Sequence, residues 1–312
     1  MNPAFSVILF TTLTGASQGL FLALCGAETA ARAGAIPMPD GHRFFALGSA
    51  VVVVLASLGL LASFFHLGRP KRAWRSAAMW RTSWLSREVI VLPAFIASSG
   101  LYGLAHYLGW RGTAIIGALG TVLCLALFVC TGMIYACIKF LQEWSTPLTV
   151  VNYFMLGIGS GFTLAAAFSA LAAPDLAQAY AVTAALFTFI GLLTRSAALA
   201  RNARLRPKST LQTAIGVRHP RIVQKSQGFM GGSFNTREFF HGKSRFFLRQ
   251  VKWGFLLFAF VVPLLLLLAA GRLPMIVLPF AFLVQFVGLL AERWFFFAEA
   301  NHPQNLYYQA IS

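Results

Sequence analysis

The chain has 312 residues, of which 58% are hydrophobic and 11% charged, with a formal net charge of +17. A soluble globular domain carries about 25% charged residues, so this composition excludes an ordinary water-facing surface. The positive charge does not point to nucleic acid, because the lysines and arginines fall between apolar runs instead of covering one folded face.

No Lys or Arg precedes the first apolar run, Met1-Asn2-Pro3-Ala4-Phe5, so the n-region of a cleavable signal is missing and the run is expected to stay as a helix over 4–31. Further stretches of about 20 apolar residues, long enough to cross a hydrocarbon core of roughly 30 Å, predict helices at 44–66, 85–108, 112–139, 148–172, 177–200, 250–270 and 274–297. The expected fold is all-α: a polytopic integral membrane protein with eight transmembrane helices forming one domain over 1–312. Four cysteines, Cys25, Cys124, Cys130 and Cys137, lie inside these runs with no C-x-x-C pair, which reads as small buried hydrophobes, not a disulfide framework or a metal site.

Most connections are short, as between Leu108 and Arg111, and force antiparallel hairpins. Two differ. The second, Leu67 to Trp84, carries Arg69, Lys71, Arg72, Arg75 and Arg81; the sixth, at about 201–249, is long and basic. Both fall on the side that holds the termini, and that side has 21 of the 25 Lys and Arg, the other only Arg32, Arg43, Arg111 and Arg272. The positive-inside rule then places both termini and both basic connections in the cytoplasm. In the sixth connection Pro207, Pro220, Gly228, Gly231 and Gly232 suggest an irregular chain, and Phe229, Phe234, Phe239 and Phe240 give it surface to dock with.

Ionisable groups near membrane depth are costly and therefore informative. His66 ends the second helix and Glu88 opens the third, so both are expected near the cytoplasmic interface. A quinone that is reduced or oxidised must exchange two protons with water, and a His and a Glu there suit that chemistry, while Arg69, Arg72, Arg75 and Arg81 could favour an anionic quinone. The competing reading is that His66 only terminates a helix, the arginines anchor lipid phosphates, and Glu88 pairs with Arg87 or another cation. Haem b would need two imidazoles at one depth, but His66 and His106 fall at opposite faces and His42, His219, His241 and His302 lie in connections or the tail, so haem is not indicated. Glu28, Glu143 and Lys139 read as interfacial, Asn152 and Gln285 as interhelical glue, and the stretch from Glu292 through Arg293, Trp294 and Phe295 to Glu299 as an aromatic belt.

The residues Phe65-His66-Leu67-Gly68-Arg69-Pro70 and Ser83-Trp84-Leu85-Ser86-Arg87-Glu88 resemble the membrane-anchor subunit of the dimethyl sulfoxide reductase family, most specifically over Ala62 to Val91, and the helix count agrees. The resemblance implies a bacterial inner-membrane anchor for an iron–sulfur electron-transfer subunit and a molybdopterin catalytic subunit, exchanging electrons with ubiquinone or menaquinone. It also implies a quinone site at His66 and Glu88, flanked by Arg69, Arg75, Arg81 and Ser86. With the basic connection inside, the chain is similar to the subgroup serving cytoplasmic sulfite dehydrogenases, as is its segment from Glu292-Arg293-Trp294 to Asn305-Leu306-Tyr307-Tyr308; that subgroup oxidises sulfite and reduces quinone. An anchor working in reverse, oxidising quinol for a dimethyl sulfoxide or related reductase, is the alternative. A secondary transporter is disfavoured because neither repeated halves nor polar broken helices are visible.

Overall fold

The computed structural model describes residues 1–39, 41–225 and 238–307. Its α-helices are α1 (Phe5–Arg32), α2 (Gly41–Phe64), α3 (Trp84–Tyr107), α4 (Thr113–Ala136), α5 (Pro147–Ala172), α6 (Pro174–Asn202), the short α7 (Leu211–Ile215), α8 (Arg245–Ala269) and α9 (Val277–Glu299). All but α7 are long and apolar enough to cross a membrane. No strand occurs among the described residues. The eight expected spans are all present, and their ends lie within five residues of the predicted ones.

Local chemistry explains the boundaries. Ser83 caps α3 by accepting the Ser86 backbone N–H, Thr146 caps α5, and Pro147 and Pro174 occupy first-turn positions where a missing N–H costs nothing. A single residue, Ala173, separates α5 from α6, so the two form a tight antiparallel hairpin.

Helix α1 is the central post of the bundle, with 72% of its most apolar window buried, and α8 is the outermost span at 28%. The seam between α1 and α5 is built from glycines. A Cβ on Gly19 would strike the Gly157 carbonyl oxygen, and one on Gly161 would strike the Gly19 backbone. Small residues of this kind let membrane helices approach to backbone contact and gain dispersion energy where no hydrophobic force acts between them. Leu47, Val54, Leu58 and Leu61 on α2, Ile115, Leu119 and Val122 on α4, and Leu265 and Leu268 on α8 face outward, as lipid contact requires.

Within α8 the turn Leu257–Val261 is π-helical, and the Val262 N–H donates to the Leu257 carbonyl. Pro263 is the cause: its ring cannot donate and would press on the carbonyl four residues back in an α-turn, so the ladder widens there. Gly288 of α9 packs against the widened turn at Ala259, and Gln285 donates to the Ala259 carbonyl (3.4 Å) and to Thr188 Oγ1 of α6 (3.0 Å). Gln285 thus acts as interhelical glue.

The start of α1, the start of α5 and the end of α9 share one end of the bundle. Trp144 Nε1 donates to the Phe296 carbonyl (2.9 Å), and the Asn2 N–H donates to the Glu238 carbonyl (2.7 Å). In the sixth connection α7 is held by a Thr210–Thr213 capping box, and the Phe239 ring stacks on His302 at 3.8 Å. Gly228, Phe229, Gly231, Gly232 and Phe234, like Tyr308 of the tail, lie outside the described residues.

Candidate functional site

The second connection folds as a 3-10 helix over Pro70–Ala77 that packs against the start of α3. Its arginines are solvated: Arg69, Arg75 and Arg81 are exposed, and Arg75 and Arg81 lie over the rings of Trp74 and Trp80 at 5.5 and 5.4 Å. Phe65, Trp74, Met79 and Trp80 are exposed around them, so this end of the bundle offers cations and apolar rings side by side. His66 follows the end of α2 and is exposed, yet the atoms packed about it desolvate the imidazole enough to hold its pKa below the ordinary value.

Glu88 sits one turn inside α3 at the same end and is 5% exposed. Thr131 of α4 donates to its Oε1 in a short hydrogen bond. Arg87 turns the other way, donating to the carbonyls of Trp80 (2.9 Å) and Arg81 (2.8 Å) and stacking on Trp84 at 4.2 Å. Glu88 therefore has no ion-pair partner among the described residues, and the Arg87 pairing considered from sequence does not form. Ser86 is buried beside it, its backbone N–H used by the Ser83 cap. No hydrogen bond or ion pair joins His66 to Glu88; the carboxyl faces into the bundle and the imidazole faces out.

Behind Thr131 lies a small, mostly apolar cavity of about 20 Å³, enough for one or two waters. It is bounded by Phe10, Phe128, Leu156 and Leu289, with polar groups from Thr11, Thr14 and Gln18 of α1, Thr131, Tyr153 of α5 and Arg293 of α9. The Arg293 guanidinium lies 4.0 Å over the Tyr153 ring, on which Tyr135 stacks parallel at 5.6 Å and Phe296 packs edge-on at 6.0 Å. From Arg293 a buried ionic chain runs on: Arg293 Nε to Glu292 Oε2 (3.3 Å), Glu292 Oε1 to Arg195 Nε (2.7 Å), and Arg195 to Glu299 Oε2 (3.7 Å). Arg195 and Glu292 are 2% and 1% exposed.

These residues correct the sequence reading. Glu292 and Arg293 belong to the protein interior and not to an aromatic belt, and Arg195, within α6 as expected, is buried against Glu292, a partner the sequence reading did not give it. The available signal was a lone arginine within an apolar run, Leu192-Leu193-Thr194-Arg195, which at membrane depth demands an acidic partner.

Glu28, near the opposite end of the bundle, is also buried. Its carboxylate accepts from Tyr102 Oη (2.8 Å), Thr113 Oγ1 (2.5 Å) and Arg32 Nε (2.9 Å), and His106 Nε2 lies 3.4 Å away with its ring stacked on Phe45. The cluster ties the ends of α1 and α3 to the start of α4. Glu143 meets Asn301 Nδ2 at 3.3 Å, while Asn152 is buried with its carbonyl oxygen unpaired among the described residues.

The sequence matches the profile of the DMSO reductase anchor subunit (DmsC) over residues 1–298. It is 54% identical to the C subunit of the sulfite dehydrogenase of Allochromatium vinosum over the whole of both proteins. It is also 29% identical to the C polypeptide of the anaerobic dimethyl sulfoxide reductase of Haemophilus influenzae, over 36% of this sequence and 42% of that one. With the YnfH polypeptide of an anaerobic dimethyl sulfoxide reductase of Escherichia coli the identity is 32% over 36% and 41%. The protein belongs to the DMSO reductase anchor subunit family, and it is a multi-pass membrane protein.

Proposed function

Taking this family membership as the premise, we propose that the protein anchors a sulfite dehydrogenase in the bacterial inner membrane and passes electrons from an iron–sulfur subunit to quinone. The full-length likeness to a sulfite dehydrogenase subunit, against local likeness to two dimethyl sulfoxide reductase polypeptides, favours sulfite oxidation over the reverse, quinol-oxidising direction. The excess of Lys and Arg on the termini side supports a cytoplasmic position for the second and sixth connections, and hence for the iron–sulfur and molybdopterin partners, which carry all the metal cofactors in this reading.

The single observation that carries the quinone assignment is Glu88. A carboxyl 5% exposed, at the end of a span, without a cation among the described residues, is held there at a cost of a few kcal/mol, which argues for a proton-exchanging role. In this reading Glu88 gives protons to the quinone oxygens, His66 serves as a second exchanging group at the lipid edge, and Ser86, Arg69, Arg75 and Arg81 orient the ring and offset developing negative charge. The exposed Phe65 and Trp80 suit an apolar ring arriving from lipid.

The test is a complex assembled with Glu88→Gln or His66→Ala. Sulfite oxidation with a soluble dye should be unchanged, whereas sulfite-to-quinone turnover should fall by about a hundredfold or more, the low end of what a positioned acid contributes. Full quinone-linked turnover in both variants would overturn the assignment.

A further inference from the structure

We propose that the start of α8 is a docking site for an anionic phospholipid of the leaflet on the termini side. Arg249 and Lys252 hold the phosphate, Arg245 lies above them, and an acyl chain runs down the outer face of the same helix. The proposal stands on the membrane span alone and is independent of the quinone assignment.

Helix α8 is the span that the bundle covers least. On one side its first turns meet the end of α9, where Phe247 contacts Trp294 at 5.6 Å and Phe255 contacts Phe295 at 5.4 Å. Much of the remaining surface is open and carries two neighbouring stripes. Arg245, Arg249 and Lys252 stand at i, i+4 and i+7, so they share one face of the helix. One residue further round, Phe246, Trp253, Leu257 and Val261 repeat the spacing in apolar residues, and all four are exposed, Trp253 at 61%.

Depth sets these residues at the membrane boundary. At 1.5 Å per residue, Lys252 to Ala269 covers about 26 Å, close to the roughly 30 Å hydrocarbon core. Lys252 and Trp253 therefore lie at the boundary, the level that interfacial tryptophans prefer, and the Lys252 ammonium sits 5.6 Å over the Trp253 ring. Arg249 stands about 4.5 Å higher and Arg245 about 10 Å higher, against a headgroup layer of about 5–8 Å. Two of the three cations are thus level with lipid phosphates, and the third reaches their outer edge.

The charges identify the occupant. None of the three cations forms an ion pair among the described residues, and Glu299, the carboxylate at the end of α9, is engaged by Arg195. Like charges four residues apart on a helix repel, so an anion from outside offsets a local cost. Below them the open stripe continues into hydrocarbon through Leu257, Leu265 and Leu268, where a soluble protein does not reach. An occupant that meets both parts must be anionic at its head and apolar below it. A guanidinium fork matches two phosphate oxygens, and an ammonium beside it adds a compact charge. A zwitterionic lipid brings its own cation to this face, whereas phosphatidylglycerol brings net negative charge, so the face selects the second.

Brominated lipids test this with the full chain in nanodiscs of phosphatidylcholine, since bromine on an acyl chain quenches a tryptophan beside it. The quenching that disappears in Trp253→Phe belongs to Trp253. In the parent that part should be half complete at a mole fraction of brominated phosphatidylglycerol about tenfold below the fraction of brominated phosphatidylcholine required, each Lys or Arg at an anionic surface being worth about fivefold. Arg249→Gln with Lys252→Gln should bring the ratio to within about twofold of one. Lys71→Gln with Arg72→Gln, an equal loss of charge in the second connection, should keep the parent's ratio. Equal quenching by the two lipids in the parent overturns the proposal, as does an unchanged ratio in Arg249→Gln with Lys252→Gln. A ratio that falls as far in Lys71→Gln with Arg72→Gln also overturns it, because the general positive field and not this face then selects the lipid. Quenching of Trp253 by neither lipid overturns it in favour of a second copy of the chain covering the stripe.

Discussion

Replacing Glu292 by Gln is the sharpest perturbation of the fold, because it keeps shape and removes one charge from a closed network. Glu292 lies 2.7 Å from Arg195 Nε and 3.3 Å from Arg293 Nε, at 1% exposure. Without it Arg293 loses its carboxylate, and Arg195 keeps only Glu299, at 3.7 Å. Breaking one partner of a buried ion pair costs about 3–5 kcal/mol, since a charge is left uncompensated. With an unfolding entropy of about 2.1 cal/mol/K per residue, 312 residues give roughly 0.65 kcal/mol/K, so the apparent Tm should fall by about 5–8 °C. The assay is tryptophan-fluorescence melting of the purified protein in mild detergent. The neutral control is Gln285→Leu, which removes the donor to Thr188; interhelical hydrogen bonds of that kind average about 0.6 kcal/mol, so its shift should stay near 1 °C. In a double-mutant cycle, Arg195→Met with Glu292→Gln should lose less than the sum of the single losses, by about 0.5–3 kcal/mol. A Glu292→Gln variant melting within about 1 °C of the parent would refute the network as a source of stability.

Two further outcomes follow from the packing. Gly161→Val drives a branched side chain into the Gly19 backbone and should abolish a monodisperse peak on size exclusion, whereas Gly254→Val, with no neighbouring atom within 4 Å, should elute as the parent does. At the opposite end, Glu28→Ala strands Tyr102, Thr113 and His106 and should cost about 3–5 kcal/mol in the same melt, whereas Arg32→Ala removes a partner that is 44% exposed and should cost less than about 1 kcal/mol.

The spans were legible because lipid imposes a single length and polarity rule on each of them, and Gly, Pro and charge clusters mark where each helix stops. Pairing across the bundle was not legible, because the partners are far apart in sequence. Arg195 and Glu292, or Glu28 and Tyr102, meet only once the helix order around α1 is known. Within one helix a trace was present: Glu28 and Arg32 stand four residues apart, as do Tyr102 and His106, and that spacing puts each pair on one face. The belt reading of Glu292 and Arg293 went astray because Trp294, Phe295, Phe296 and Phe297 are the composition of an interface. In the fold those rings are instead the apolar wall that shields the ionic chain, with Arg195 stacked over Phe255 and Phe296 at 5.6 and 6.0 Å. Glu28 and Glu292 are held by arginines in their own clusters, so burial alone does not make a carboxyl a proton carrier. What separates Glu88 from them is burial combined with a single hydroxyl partner among the described residues and a water-sized cavity behind it. That combination exists only across α3, α4, α5 and α9 together, which is why Glu88 could be suspected from the sequence but not its surroundings.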